Sequence, residues 1–232
     1  MTARDNQGAL SPQSGSCGTN VTAYILAGGQ SSRMGSDKAL ALFQDRPLIV
    51  RAIAIATAAG LQTAIAGSRS QLAAYAPEIP DTFADAGPLG GIHAALSASI
   101  SDWNLFIPVD LPLMPPSLLR CLIQRAIVTE APITGVRLKG RLEPFPVVLH
   151  RTVASLAAQR LAAGQLACYV AWQSIPAELG SVLDAPAVEN LLQCGQCSHP
   201  IGLPPIFWFR SANTPAELAA LERLADSSTL LM

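Results

Sequence analysis

Hydrophobic residues along this chain group into short runs that are separated by turn-forming residues. The run at 21–26 is six residues long and stops at a pair of glycines, which is typical of a buried β-strand. Two later runs flank Lys139-Gly140-Arg141, a spacing that favours a β-hairpin. The predicted strands are 21–26, 61–66, 103–109, 133–138, 145–149 and a short aromatic strand at 206–209.

Helix signals alternate with these strands in the first half of the chain. Glycine closes two of the predicted helices, and proline begins two others, as is usual at those positions. The last helix opens with Thr214-Pro215-Ala216-Glu217, a capping box with proline at its first position. The predicted helices are 47–59, a weak segment at 71–75, 92–99, 115–128, 152–163 and the helix that follows Thr214.

The alternation of strands and helices predicts an α/β protein with a three-layer, Rossmann-like arrangement. Its sheet should be mostly parallel, with helices on both faces. Neither a repeat nor a linker divides the chain, so we predict one domain at 21–225. We expect residues 1–20 to be a disordered tail without a signal-peptide core. Residues 226–232 should be flexible. The pattern of segment 185–205 predicts neither a helix nor a strand.

Composition and charge narrow the classes of function. Half of the 232 residues are hydrophobic and 13% are charged, so a large core can form. The net charge of −1 gives no general attraction to nucleic acid or to an anionic membrane, so neither is expected as a partner. Phosphate groups would have to be bound by local cations.

The cysteines favour a reduced compartment. Their odd number and scattered positions predict free thiols in the cytoplasm rather than a disulfide framework. Cys194-Gly-Gln-Cys197 with His199 could suggest zinc, but a structural zinc site needs four ligands and no second pair is visible. The five cysteines are Cys17, Cys121, Cys168, Cys194 and Cys197.

The segment 26–38 carries the strongest chemical signal. Gly28 and Gly29 follow the first predicted strand and allow the backbone to approach a ligand closely. Arg33 and Lys38 then add two positive charges, which would stabilise phosphate oxygens. The segment has neither the G-x-G-x-x-G spacing of dinucleotide-binding folds nor the Gly-Lys-Ser/Thr of a P-loop. It predicts a polyphosphate site of another class.

Asp110 follows a predicted buried strand, where open parallel sheets bind their ligands. A carboxylate opposite a cationic phosphate loop is suited to Mg²⁺, which takes few protein carboxylates and completes its shell with phosphate and water. The alternative is that Asp110 only caps a turn before Leu111-Pro112. Pro108 cannot donate to a strand ladder, so the strand could end at Ile107.

A second glycine-rich segment lies at 87–91. It could be a simple turn before a helix, or it could let the backbone approach a base or a ribose. Asp81 is the preferred carboxylate to accept hydrogen bonds from hydroxyl or amine groups there. On chemistry alone, Asp85 is equally suitable.

The motif Leu26-Ala-Gly-Gly-x-Ser-x-Arg-Met-Gly-x-Asp-Lys-Ala39 resembles the signature of molybdenum cofactor guanylyltransferases, which are nucleotidyltransferases with a sugar-nucleotide-transferase fold. Related cytidylyl enzymes usually carry Ala-Ala-Gly and Pro-Lys instead. Later motifs are similar and come in the same order. They are Gly87-Pro-Leu-Gly-Gly-Ile92, Pro108-Val-Asp110, Pro144-Phe-Pro146 and Asn213-Thr-Pro-x-Glu-Leu218.

The resemblance implies that GTP binds at 26–28 and Lys38, that Asp81 contacts the nucleotide and that Asp110 holds Mg²⁺. Molybdopterin would be the acceptor, with Asn213 on its side of the site. Proteins that deliver the cofactor, or apo-molybdoenzymes that receive it, would be partners. Two departures from the family pattern are Ala66-Gly67-Ser68, where Asn is frequent, and Ser211, where Asn is usual.

Two other functions are compatible with these residues. The first is the same chemistry with CTP or with another phosphate acceptor, since a fold does not determine specificity. The second is a non-catalytic domain that binds a nucleotide or a pterin. The combination of Arg33, Lys38 and Asp110 argues against a pure binder, which would not require all three.

Overall fold

A computed structural model describes residues 21–28, 37–67, 70–83 and 85–229; for residues 228 and 229 it describes only the backbone. The predicted tail at 1–20 lies outside these residues. The predicted flexible end overlaps the final helix, which extends to Thr229.

Within the described ranges a six-stranded sheet forms the centre of the fold, in the order β5-β4-β1-β6-β8-β7. The first four strands in that order are parallel, whereas β8 is antiparallel to both of its neighbours. A separate two-stranded hairpin consists of β2 and β3. The strands are β1 Val21–Leu26, β2 Leu42–Phe43, β3 Arg46–Pro47, β4 Gln62–Ala66, β5 Glu78–Ile79, β6 Trp103–Pro108, β7 Ile133–Leu138 and β8 Arg141–His150.

Helices cover both faces of this sheet. One face carries α1, α3, α6, α7 and α8, and the other carries α2, α4 and α5. This arrangement confirms the predicted three-layer α/β fold. The helices are α1 Leu48–Ala58, α2 Gly87–Ala98, α3 Pro116–Thr129, α4 Val153–Ala162, α5 Cys168–Glu178, α6 Val188–Gln193, α7 Pro205–Trp208 and α8 Pro215–Thr229.

The central strands supply side chains to two separate cores, because successive residues of a strand point to opposite faces. In β1, Ala23 and Ile25 belong to the core under α1 and α3, while Tyr24 belongs to the core under α2 and α5. Tyr24 stacks on Phe106 of β6 with ring centroids 5.3 Å apart. Full burial of a Val, Leu, Ile or Phe side chain contributes about 1.5–3 kcal/mol, so β1 and β6 are anchored from both faces of the sheet.

Most predicted elements are present, but several boundaries differ. Helix α2 begins at Gly87 rather than at 92, because Pro88 lies in the first turn, where the missing N–H is not needed. Segment 71–75 forms turns, not the predicted weak helix. Strand β6 does include Pro108, which pairs with Leu26, and the next N–H, that of Val109, donates to the Leu26 carbonyl at 3.1 Å.

The predicted aromatic strand at 206–209 is wrong. These residues form the short helix α7, and Pro205 occupies its first turn. The indole N–H of Trp208 donates to the Leu203 carbonyl at 2.7 Å, and this bond holds the fully buried ring against the preceding loop. A four-residue apolar run cannot be assigned to a strand or a helix by periodicity alone.

No helix in the described part of the chain is both long and apolar enough to cross a membrane.

Trp172 fixes the start of β8, and its replacement tests this role. Its indole N–H donates to the Pro144 carbonyl at 3.0 Å, and its ring is 1% exposed. We expect Trp172→Phe to lower the free energy of unfolding by about 2–3 kcal/mol, because it removes this bond and leaves a small cavity. Urea denaturation measures the loss. Tyr169→Phe on the exposed side of α5 is the control, and an equal, small effect of both changes would contradict the assignment.

Candidate functional site

A cavity of about 390 Å³ opens where β1, β4 and β6 end. This is the edge at which parallel α/β sheets bind ligands, because the strand order reverses there. Backbone and side chains from eight separate stretches of the described chain meet in it. Its lining residues are Leu26, Gly28, Lys38, Ala66, Asp81, Gly87, Pro88, Gly91, Pro108, Val109, Asp110, Leu111, Glu143, Pro144, Phe145, Phe209 and Ser211.

Lys38 and Asp110 meet in the middle of this cavity. The Lys38 Nζ donates to Asp110 Oδ2 at 2.6 Å and to Asn213 Oδ1 at 2.6 Å. The side chains of the ion pair are 18% and 19% exposed, so water screens them only in part. A cation, a carboxylate and an amide that lie far apart in the sequence therefore form one polar cluster.

Local structure determines where Lys38 points. It begins a one-turn 3₁₀ helix, Lys38–Leu40, whose first turn is capped by the Asp37 carboxylate through the Ala39 N–H at 3.0 Å. Ala39 is fully buried in the core and anchors this turn. Asp37 therefore acts here as a cap, which gives the Asp-Lys pair of the sequence motif a structural explanation.

The segment before α8 is attached directly to Asp110. The Ala212 N–H donates to the Asp110 carbonyl at 3.0 Å, and the Asn213 side-chain N–H donates to Ser211 Oγ at 2.6 Å. Ser211 thus takes part in orienting the Asn213 amide, at the position where the family pattern usually has Asn.

The predicted capping box of α8 is present and is connected to this cluster. The Glu217 N–H donates to Thr214 Oγ1 at 3.2 Å, and Glu217 Oε2 accepts from the Asn213 N–H at 2.9 Å. The pKa of the Glu217 carboxyl is lowered, mainly by the bond from the Asn213 N–H and further by the Thr214 contacts and the charge of Lys38. The box therefore fixes the backbone of the residue whose amide accepts from Lys38.

Asp81 lies on the side of the cavity next to α2, where glycines leave room for its carboxylate. A Cβ on Gly91 would lie 3.3 Å from Asp81 Oδ1, and one on Gly67 would lie 3.8 Å from Oδ2. Gly67 also has φ +120°, which disfavours other residues there. Asp85 is exposed and is not among the lining residues. Of the two carboxylates, the structure therefore brings Asp81 to the cavity.

Glu143, Phe145 and Phe209 form the opposite wall and were not among the predicted site residues. Burial raises the pKa of the half-buried Glu143 carboxyl, and the positive charge of Arg141 counteracts part of that rise. The only sequence signal for Glu143 is its place immediately before Pro144-Phe145-Pro146. Phe209 gave no signal beyond its aromatic run.

Most predicted site residues lie together. Leu26, Gly28, Lys38, Asp81 and Asp110 all line the cavity. Ala27 is buried between Leu26 and Gly28, and Asn213 reaches the cavity through its bond to Lys38. Gly29 and Arg33 lie outside the described residues.

Comparison with known proteins identifies the family of the chain. The sequence profile described as the MobA-like NTP transferase domain matches residues 23–193. The chain belongs to this family. The family resemblance predicted from the sequence motifs is thereby confirmed.

Among relatives of the MobA-like chain, a probable molybdenum cofactor guanylyltransferase of Deinococcus radiodurans is 30% identical over 90% of this chain and 97% of its own length. A molybdenum cofactor guanylyltransferase of Aliivibrio fischeri is 38% identical over 56% of this chain and 68% of its own. The structure of molybdopterin-guanine dinucleotide biosynthesis protein A from Archaeoglobus fulgidus has a TM-score of 0.71 at 20% identity, over 89% of this chain and 99% of that one. At that identity it shows the fold.

The residues at Asp110 fit a magnesium ion that is bound mainly by its substrate. Within the described ranges, no group of three or more His, Cys, Asp or Glu side chains lies together to form a protein cage. One carboxylate at the end of a strand, with a lysine beside it, matches the way Mg²⁺ is held by few protein ligands and by phosphate oxygens. The residues considered for zinc in the sequence have other environments. His199 Nε2 lies 3.1 Å from the Leu113 carbonyl, and burial raises the pKa of the Cys197 thiol to about 11.

The capping box predicts a pH dependence of stability. Because the pKa of Glu217 is lowered in the folded protein, its ionised form stabilises the fold above the ordinary value of 4.5. This contribution is lost as the pH falls through the lowered pKa. We expect the difference in unfolding free energy between wild type and Glu217→Gln to be full near neutral pH and to vanish in acid.

Urea denaturation between about pH 7 and about pH 3 measures this difference. The matched control is Ser227→Ala, which removes a hydroxyl bond to the Arg223 carbonyl on the same helix. Its effect on the free energy of unfolding should be the same at every pH in this range. A constant difference between wild type and Glu217→Gln across this range would contradict the capping role.

Proposed function

We propose that this MobA-like protein transfers GMP from GTP to molybdopterin that carries molybdenum, and that it releases pyrophosphate. The observation that carries the proposal is the Lys38–Asp110–Asn213 cluster between two walls of one cavity. Relatives named as molybdenum cofactor guanylyltransferases support the substrate pair. The sheet supports the geometry, because in the strand order β5-β4-β1-β6-β8 the segment after β5 and the start of β8 lie on opposite sides of the cluster.

The nucleotide would occupy the side next to α2. Gly28 offers backbone that no Cβ blocks, and the opening at Gly91 leaves space beside the Asp81 carboxylate. A carboxylate in this position can accept from the amine or hydroxyl groups of a nucleoside. Lys38 then lies where the triphosphate would run toward the centre of the cavity.

Mg²⁺ would be held by the Asp110 carboxylate and by the phosphates. When bound, it would neutralise charge on the triphosphate and polarise its oxygens. Lys38 would exchange its bond to Asp110 for phosphate oxygens, as a lysine does when it serves as a mobile point charge. Asn213 would keep the Lys38 ammonium near this position during the exchange.

The chain needs no general base for this reaction. A phosphate monoester is already ionised near neutral pH, and one of its oxygens would attack the α-phosphorus of GTP. A new P–O bond forms to the acceptor, and the bond from the α-phosphorus to the bridging oxygen of pyrophosphate breaks. The protein contributes alignment of the two phosphates and stabilisation of charge, which dominate phosphoryl-type transfer.

We further propose that the protein works in the cytoplasm. The four cysteines in the described part of the chain are free thiols, which suits a reducing compartment. Delivery proteins for molybdopterin and apo-molybdoenzymes remain predicted partners.

A pyrophosphate-release assay with Mg²⁺, molybdopterin and each of the four nucleoside triphosphates tests the function. Wild type should release pyrophosphate with GTP, and Asp110→Ala should lower the rate by at least about 10²-fold, because the central charge is lost. Asp102→Ala is the matched control, since Asp102 is 66% exposed and lies just before β6, away from the cavity. Preference for CTP, or no release with any nucleotide, would overturn the proposal.

A second comparison tests the nucleotide side. We expect Asp81→Asn to raise the KM for GTP by about tenfold or more, because a charge-assisted hydrogen bond is weakened. Asp85→Asn should leave it unchanged, since Asp85 lies outside the cavity. Steady-state kinetics with varied GTP and saturating acceptor give both values. If Asp85→Asn raised the KM for GTP more than Asp81→Asn does, Asp85 rather than Asp81 would be the carboxylate that contacts the nucleotide.

A further inference from the structure

The wall formed by Glu143, Phe145 and Phe209 lies on the acceptor side of the Lys38–Asp110 pair. Strand β8 is antiparallel to β6, so its first residues lie beyond the end of β6 from which Asp110 follows. Asp81 follows β5 at the other edge of the same sheet. Four strand spacings separate β5 from β8, which is about 19 Å. This distance leaves room for two ligands that meet at Asp110.

Glu143 is the only carboxylate that this wall contributes to the cavity lining in the described chain. It is half-buried, and within the described ranges its carboxylate makes no hydrogen bond or ion pair; only the charge of Arg141 acts on it. A partly desolvated carboxylate gains most from donors that a ligand brings, because unmet polar groups are unfavourable in such a place. This desolvation also raises the pKa of the Glu143 carboxyl.

The chemistry of the wall indicates what kind of ligand it accepts. Two carboxylate oxygens can accept two parallel N–H bonds, the geometry that makes bidentate pairs strong and selective. An aminopyrimidinone ring offers such a pair, one N–H in the ring and one on the exocyclic amine. Phe145 and Phe209 line the same wall, and aromatic faces favour a flat heterocycle.

We propose that Glu143 determines specificity for the acceptor by reading the aminopyrimidinone edge of its pterin ring, with Phe145 and Phe209 beside that ring. The inference rests on the proposed function, which supplies a pterin as acceptor. Guanine carries a similar edge, but GTP is placed on the Asp81 side of the cluster. Glu143 therefore acts on the second substrate and takes no part in the bond-making step.

Glu143→Gln tests this assignment, because it keeps the shape of the side chain and replaces one acceptor oxygen by a donor. We expect the KM for molybdopterin to rise by about tenfold or more, since one of the two hydrogen bonds becomes repulsive. The KM for GTP and kcat should stay within about twofold. Glu130→Gln at the exposed end of α3 is the matched control and should change none of these values.

Binding of two small probes gives a readout that does not depend on turnover. The phosphate esters of 6-hydroxymethylpterin and of its lumazine counterpart differ only in the exocyclic amine, which lumazine replaces by oxygen. Quenching of probe fluorescence measures both affinities. Wild type should prefer the pterin by about tenfold or more, and Glu143→Gln should reduce or invert this preference.

The outcomes separate this inference from the proposed function. An unchanged pterin preference in Glu143→Gln would overturn the inference while leaving guanylyl transfer intact. A raised KM for GTP, together with lost discrimination between GTP and ITP, would mean that Glu143 reads guanine, and would also overturn it. Absence of GTP-dependent turnover in wild type would overturn the proposed function, whereas the probe affinities would still report on Glu143.

Discussion

The parallel pairing of β1 with β6 is the constraint on which the site depends. The register places Leu26 beside Pro108, so the loops that follow the two strands leave the sheet side by side. One loop leads to Lys38 and the other to Asp110, and their charged atoms come within 2.6 Å. A shift of one residue would turn the side chains of the shifted strand to the wrong core, which favours the register that brings Lys38 and Asp110 together.

The C-terminal helix is coupled to this centre although it lies far away in the sequence. Asn213 accepts from Lys38, and the capping box of α8 holds the Asn213 backbone through Glu217. Leu218 and Leu221 anchor the same helix in the core under α1 and α3. Packing of α8 and placement of the Lys38 ammonium are therefore linked, and loss of the cap should affect both stability and the site.

The part of the site that the sequence predicted is the part determined by local pattern and by strand order. Parallel strands end at one edge of a sheet, so the sequence alone predicts that the residues following Leu26 and Ile107 lie close together. The presence of Glu143 and Phe209 in the cavity wall could not be predicted. The hairpin was expected, but its second strand begins at Arg141 rather than at 145, and Phe209 follows a short helix that periodicity does not reveal. Helix α5 was missed for a related reason, since Pro176 lies inside it and obscures the helical signal.

Under the proposed function, the Lys38–Asp110 pair would explain how a chain with a net charge of −1 binds a polyanion. The two opposite charges neutralise each other in a cavity where water screens them only in part, and Asn213 accepts a further bond from Lys38. In the proposed reaction, a triphosphate with a divalent cation would offer each of them a stronger partner, the phosphates for Lys38 and the metal for Asp110. Both charges would then face the ligand, so the local field that binds it would arise only when the ligand and its metal are bound together. Under the proposed function, such a site would favour the metal–nucleotide complex over either component alone, and this complex is the donor that the proposed transfer uses.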